Sequence, residues 1–139
     1  MPYFHRIKES SLLIISDRVV VWNGATREKP ANETEAREFL RGYAVHPAET
    51  VSAVVVTDTR TNERCEGIDH AKVWFYPIPD TLTEELIKEG RIFTTAGGFL
   101  IEDPKFKPCI KHIEGTMKSV LGLPAELMKR LLKRVSSKQ

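Results

Sequence analysis

The chain has 139 residues, 41% of them hydrophobic and 29% charged, with a formal net charge of +2. That length supports one hydrophobic core and is too short for two ordinary domains, so residues 1–139 are expected to form a single domain. Acids and bases are interspersed up to the locally basic end, which excludes the electrostatic footprint of a nucleic-acid polymer binder. No apolar run is long enough for a bilayer and no secretory signal opens the chain, so no membrane partner and a cytoplasmic location are expected.

In chain order, residues 12–16 and 19–22 are β-forming runs that meet at Asp17-Arg18. Asn-Gly between apolar-rich runs is the strongest short-range hairpin signal, so 19–22 and 25–27 should pair antiparallel and bring Lys29 back toward the level of Asp17. Asn32 followed by Glu35 resembles a capping box opening a helix over 33–41, with Ala36, Phe39 and Leu40 as its apolar stripe and Gly42 as its stop. Residues 50–58 and 65–76 form a longer hairpin about Thr59-Arg60-Thr61-Asn62, ended by Pro77 and Pro79. Thr81 with Glu84 repeats the capping pattern, Leu82, Leu86 and Ile87 share a face, and Gly90 closes that helix.

Thr94-Thr95-Ala96-Gly97-Gly98-Phe99 follows, where Gly97 and Gly98 permit torsions and close approaches that side chains forbid. Residues 110–120 fit either a strand or a helix. Pro124 then opens a last helix, whose polar face is Lys129-Arg130 and Lys133-Arg134, before a flexible tail at 136–139. Cys65 and Cys109 lack metal-type spacing and are expected to be reduced packing residues. The fold class is α/β: a mixed, largely antiparallel extended sheet with helices packed on it.

A carboxylate between two strand-forming runs is held by strand backbone, and Lys29 returning toward it would place an acid and a base at one site. An aspartate at a strand end is also a common turn or cap residue, and Arg27-Glu28-Lys29 is a common solvated triplet. Spacing alone leaves both readings open.

A longer pattern bears on the choice. Ser16-Asp17-Arg18-Val19-Val20-Val21, Arg27-Glu28-Lys29-Pro30, Glu35 through Leu40, Thr50-Val51 before a Val-rich strand, and Phe75 through Pro79 stand in one order. Ala96-Gly97-Gly98-Phe99-Leu100-Ile101-Glu102 follows, then Ile113-Glu114-Gly115-Thr116 leading to Val120-Leu121-Gly122-Leu123-Pro124. Over roughly residues 12–135 the chain resembles the Maf family, nucleoside triphosphate pyrophosphatases first named as septum-formation inhibitors, and looks most like eukaryotic members.

The resemblance implies a Maf/ITPase-like sheet bent around a cleft and a reaction that splits a nucleoside triphosphate into monophosphate and pyrophosphate. Such enzymes act on non-standard or surplus nucleotides. It implies Asp17 as the proton acceptor for the attacking water, Lys29 as a point charge on the phosphates, and a divalent cation, normally Mg²⁺, on phosphate oxygens; its protein ligands are not identified. Gly97 and Gly98 belong to the substrate-binding loop by the same resemblance. Arg18, just after the aspartate, and Glu102, ending the Gly-Gly-Phe motif, occupy the positions associated with nucleobase choice, and a homodimer is suggested by analogy.

Four departures temper that inheritance. Bacterial pyrimidine-specific members carry Thr and Gln where this chain has Arg18 and Glu102, and their Asp-Lys-Ala-Gly reads Thr94-Thr95-Ala96-Gly97. Of the bacterial Ser-Gly-Arg-x-His stretch the chain keeps Gly42 but has Tyr43, with His46 as a surface residue. The Ser-x-Ser-Pro-Arg-Arg phosphate loop has no counterpart in residues 1–11, which read as a diverged start of an N-terminally truncated domain, Arg6 and Lys8 offering partial substitutes. The expectation is therefore an active pyrophosphatase, with a catalytically impaired nucleotide-binding or partner-binding fragment as the alternative. A sheet missing an interior strand would also expose an edge prone to pairing.

Overall fold

The computed structural model describes residues 3–6 and 12–137. Lys8, the side chain of Arg6 and the end of the tail lie outside the described residues. The backbone runs β1 (Tyr3–Arg6), β2 (Leu12–Trp22), β3 (Ala25–Arg27), α1 (Glu33–Gly42), β4 (Ala48–Asp58), β5 (Arg64–Phe75), α2 (Asp80–Glu89), β6 (Ile110–Glu114), α3 (Met117–Val120) and α4 (Ala125–Ser137). Three short 3₁₀ turns lie between α2 and β6. The strands form one six-stranded sheet in the order β1-β2-β4-β5-β6, with β3 also on β2. Every pairing among the described residues is antiparallel.

The two hairpins form where the turn chemistry demands them. Asn23 (φ 48) and Gly24 (φ 80) both take left-handed backbone, the requirement of a tight primed turn, and Val20 pairs with Arg27, Val21 with Thr26 and Trp22 with Ala25. Asn62 (φ 63) supplies the positive torsion of the second turn.

Burial along β4 alternates without exception, even-numbered residues inward and odd-numbered ones less buried or exposed. Residues 110–120, ambiguous in the sequence, divide into β6 and the single turn of α3.

Both apolar cores sit on the same face of the sheet. One gathers Val20, Ala48, Ala71, Val73 and Phe75 under α1, α2 and the glycine turn, with Leu40, Leu86, Ile92, Phe99 and Phe106 above them. The other packs Ile14, Val54, Val56 and Cys65 against Leu127, Leu131 and Val135 of α4. Each such side chain contributes about 1.5–3 kcal/mol on full burial, so three residues on one stripe are enough to hold α4 down. Between the two cores lies a polar band: Ser16 is 4% exposed, Ser52 0% and Thr50 1%, and the Ser52 and Thr50 hydroxyls have no hydrogen-bond partner.

Helix α1 begins as the capping pattern requires, Asn32 Oδ1 accepting from Glu35 N at 2.9 Å and Glu35 Oε1 accepting from Ala31 N at 3.0 Å. Its end differs from expectation. Gly42 stays within the helix and Tyr43 caps it in right-handed backbone (φ −68). Gly42 is required for room instead, since a Cβ there would lie 2.8 Å from Arg27 Nη2 and 2.9 Å from the Trp22 ring. The second capping box, unlike the first, does not form: α2 starts at Asp80 after Pro79, without a side-chain cap. Glu84 is drawn away by Arg37 of α1, whose Nε donates to Glu84 Oε2 at 2.8 Å and holds that carboxyl below the usual range. Gly90 closes α2 in left-handed backbone (φ 86), as read from the sequence.

The missing-strand expectation is modified by β1. Its backbone pairs with β2 from Tyr3 opposite Ser16 to Arg6 opposite Leu13. On the β2 edge away from β4, β1 pairs with Leu13–Ser16 and β3 with Val20–Trp22, so Asp17, Arg18 and Val19 lie between those two pairings. Cys65 and Cys109 are buried and free, and burial pushes the Cys109 thiol up. Among the described residues no helix is long and apolar enough to cross a membrane.

Candidate active site

Asp17 and Arg18 lie within β2, between the stretch paired with β1 and the stretch paired with β3. Strand alternation sends them to opposite faces, and burial follows: Ser16 is buried, Asp17 exposed and Arg18 intermediate. A cavity of about 530 Å³ occurs there, lined by Asp17, Arg18, Val19, Thr26, Arg27, Glu28, Lys29 and Ala96. The expected return of Lys29 toward Asp17 is thus realised.

Two further cavities share walls with the first. One of about 450 Å³ is bounded by Ser16, Arg18, Lys29, Thr94, Thr95, Ala96, Glu102 and Leu121–Leu123. Beyond it, one of about 430 Å³ is bounded by Arg18, Arg91, Thr95, Phe99–Pro104 and Leu121. Arg18 belongs to all three, Lys29 joins the first two, and Glu102 joins the last two. The result is a row of cavities with Asp17 and Lys29 at one end and Glu102 toward the other.

Arg18 is pinned. Its Nη1 donates to Val120 O at 2.8 Å, its guanidinium lies 5.8 Å from the Phe99 ring centroid, and Gly122 packs so closely that a Cβ there would sit 3.2 Å from the arginine stem. Burial pulls its pKa down, opposed by the negative charge of Glu102. Ser16 donates from Oγ to Gly122 O at 3.3 Å, a second tie to the same loop. The Gly122-Leu123-Pro124 segment, read from sequence only as a helix entry, therefore also forms a wall of the middle cavity.

Lys29 and Glu102 are exposed on the cavity rims. Gly97 and Gly98 are not among the residues lining these three cavities; both are buried beside Ala96 in the chain, in left-handed backbone (φ 68 and 60). A Cβ on Gly97 would meet Tyr43 Oη at 2.6 Å. The acid next to Glu102 is not a solvated partner: Asp103 is 5% exposed, is bonded by Arg91, and accepts from Lys105 N at 2.8 Å. His46 is exposed and edge-on to Trp22, outside these cavities.

Sequence reasoning missed Arg27. Read as part of a solvated triplet, it is 8% exposed, its Cζ 4.2 Å from the Trp22 ring centroid, 4.3 Å from Phe39 and 4.9 Å from Tyr43. Its Nη1 donates to Phe39 O at 2.8 Å. The available signal was alternation: Arg27 shares a face of β3 with Ala25 and pairs with buried Val20. Tyr43 was likewise noted only as a departure, and it is 1% exposed, with its hydroxyl donating to Gly97 O.

The family model described as Maf-like protein matches residues 2–135, ten residues further toward the start than the motifs alone reach. A 7-methyl-GTP pyrophosphatase of Dictyostelium discoideum is 41% identical over 138 residues, covering 94% of this chain and 69% of that protein. A dTTP/UTP pyrophosphatase of Halalkalibacterium halodurans is 30% identical over 125 residues, covering 90% and 64%, and one of Bdellovibrio bacteriovorus is 26% identical over 127 residues, covering 91% and 66%. The chain thus spans about two thirds of the length of these curated relatives.

Proposed function

The chain belongs to the Maf family, and from that premise we propose that it is a hydrolase that splits a nucleoside triphosphate into monophosphate and pyrophosphate. The observation that carries the reading is the joint lining of one cavity by Asp17 and Lys29, with Glu102 on the adjoining one. The names of the relatives support the reaction class.

In this reading the phosphates lie toward Lys29 and Arg18 and the nucleobase toward Glu102. Asp17 accepts the proton of the water that attacks the α-phosphorus, the role of a positioned general base. Lys29 and Arg18 offset phosphate charge where the cavity walls keep the local dielectric below that of water. Their donors differ: the Lys29 ammonium is a compact point charge, whereas Arg18, already tied to Val120 O, offers a planar fork with fixed orientation.

Among the described residues no group of three or more His, Cys, Asp or Glu could hold a metal ion. Mg²⁺ bound to nucleotides needs only one or two carboxylates with phosphate oxygens and waters, and Asp17 and Glu28 on one cavity fit that regime. When bound, a divalent cation supplies neutralisation of phosphate charge.

For the base, an ionised Glu102 only accepts hydrogen bonds, which favours an edge presenting N–H groups and disfavours an acceptor-rich one. A 7-methylated guanine presents N–H groups at its Watson–Crick edge and carries positive charge, so 7-methyl-GTP is the first substrate to test, in keeping with the Dictyostelium relative. A pyrophosphate-release screen with Mg²⁺ over 7-methyl-GTP, GTP, UTP, dTTP and CTP tests the proposal. Release from at least one, with 7-methyl-GTP preferred, is expected; nucleotide binding without release from any would replace turnover by a binding role.

A further inference from the structure

Gly97 uses both ends of its backbone to tie three segments together. Its N–H donates to Glu28 O at 2.9 Å, beside Lys29, and its carbonyl accepts from Tyr43 Oη at 2.7 Å. Tyr43 ends α1, packs its ring 5.5 Å from Phe75 and 6.2 Å from Phe99, and carries the Arg27 guanidinium on one face. The Gly97 N–H thus ties the segment that delivers Lys29 to the turn that presents Thr95 and Ala96 to the cavities, and the phenol anchors that same residue to the end of α1.

We propose that Tyr43 is a positioning residue whose hydroxyl, by holding the Gly97 carbonyl, fixes the spacing between Lys29 and the Thr95-Ala96 wall and so sets the affinity for the polyphosphate.

Three features favour a positioning role over mere core filling. The ring alone would fill the aromatic cluster, yet the side chain carries a hydroxyl bonded to a main-chain carbonyl 54 residues away in sequence. Gly97 cannot be replaced by a residue with a Cβ without a clash at that hydroxyl, so the two positions specify each other. The carbonyl is buried, so without the phenol it loses a partner that water cannot readily supply, and the turn would shift to recover one. No atom of Tyr43 lines the three cavities, so its action on substrate runs through Gly97 and Ala96.

The kinetic part of this inference rests on the pyrophosphatase reading; the anchoring part does not. Tyr43→Phe and Gly97→Ala are made singly and together in the full chain. For each, amide hydrogen exchange over residues 94–100, binding of inorganic pyrophosphate and steady-state kinetics are measured.

Tyr43→Phe is expected to speed exchange in 94–100 by about tenfold or more while α4 exchanges as before, as a local opening would. Pyrophosphate binding should weaken and KM rise by about 5- to 20-fold, with kcat within about threefold, the pattern of lost binding rather than lost chemistry. Because removing the hydroxyl also removes the 2.6 Å contact, while the 3.0 Å contact with Val20 and the strain of the positive φ stay the same in both, the double variant should be no worse than Gly97→Ala alone, a non-additivity that two independent destabilisations would not give. Unchanged exchange and pyrophosphate affinity in a folded Tyr43→Phe protein would overturn the proposal, as would additive effects in the double variant. If Tyr43→Phe does not fold, Gly97→Ala and its exchange pattern decide the anchoring. If the unaltered chain shows no turnover, the pyrophosphatase reading fails while exchange and pyrophosphate binding still decide the role of Tyr43.

Discussion

Replacing Arg27 with methionine isolates what a buried guanidinium contributes to this fold. The side chain faces three rings at 4.2, 4.3 and 4.9 Å and one carbonyl at 2.8 Å. Partly desolvated cation–π contacts contribute roughly 0.5–1 kcal/mol each and a hydrogen bond from a charged group about 1.5–3 kcal/mol, a gross of about 3–6 kcal/mol. Methionine keeps much of the stem's volume and escapes the cost of burying a cation, so the net loss should be about 2–3 kcal/mol. On a domain of this size that lowers Tm by about 6–12 °C.

Urea and thermal unfolding followed by tryptophan fluorescence would measure the loss, with Trp22 as the reporter nearest the change. The informative control is Arg37→Met, since Arg37 bonds Glu84 and Glu33 at the surface, where salt screens ion pairs. The Arg27 effect should persist in high salt and the Arg37 effect should fade. A cost for Arg27→Met no larger than that of the control, or one abolished by salt, would refute the assignment of Arg27 as a packed cation.

Lys29→Ala should weaken binding of a nucleoside triphosphate more than of the monophosphate, because more charge is left uncompensated; calorimetry giving equal losses would return Lys29 to the solvated surface. Glu102→Gln, which adds a donor without changing volume, should shift relative kcat/KM among 7-methyl-GTP, UTP and CTP by about 1–3 kcal/mol equivalent; unchanged ratios would put Glu102 outside the base pocket. Burial pushes the Tyr43 phenol above its usual value, more strongly than Arg27 pulls it down. The unfolded chain therefore ionises first, so this contribution is full below pH of about 10 and is lost as pH rises through the folded value. The stability of Tyr43→Phe should fall less steeply above that pH, and parallel curves for the two proteins would contradict it.

Much of the fold was legible because local chemistry and tertiary context agree. Asn23-Gly24 and the segment around Asn62 are turns that demand positive torsions, and both hairpins formed there. The face that each strand buries was less legible. In β4, Val51 and Val55 lie on the less buried face, whereas Thr50 and Ser52 lie inward, so apolar residues occupy both sides and period-two patterning is masked. The inward hydroxyls fall in the polar band between two cores, a division set by where α1 and α4 dock.

At the site, the approach of Lys29 to Asp17 was readable because a two-residue turn fixes register. The burial of Arg27 was not, because it depends on Trp22, Phe39 and Tyr43 converging from three elements. Gly97 and Gly98 were rightly marked as positions needing glycine, but the reason is their packing against Tyr43, Val20 and Ile92.

Turnover in ¹⁸O-enriched water distinguishes water attack at the α-phosphorus, with Asp17 as base, from attack at the β-phosphorus. Mass spectrometry of the products from the unaltered chain should show label in the nucleoside monophosphate and none in pyrophosphate. Asp17→Asn, folded as the parent, should form the labelled product about 10²–10⁴-fold more slowly, the contribution typical of general-base catalysis. Label in pyrophosphate, or undiminished labelling of the monophosphate by the Asp17→Asn protein, would contradict the claim.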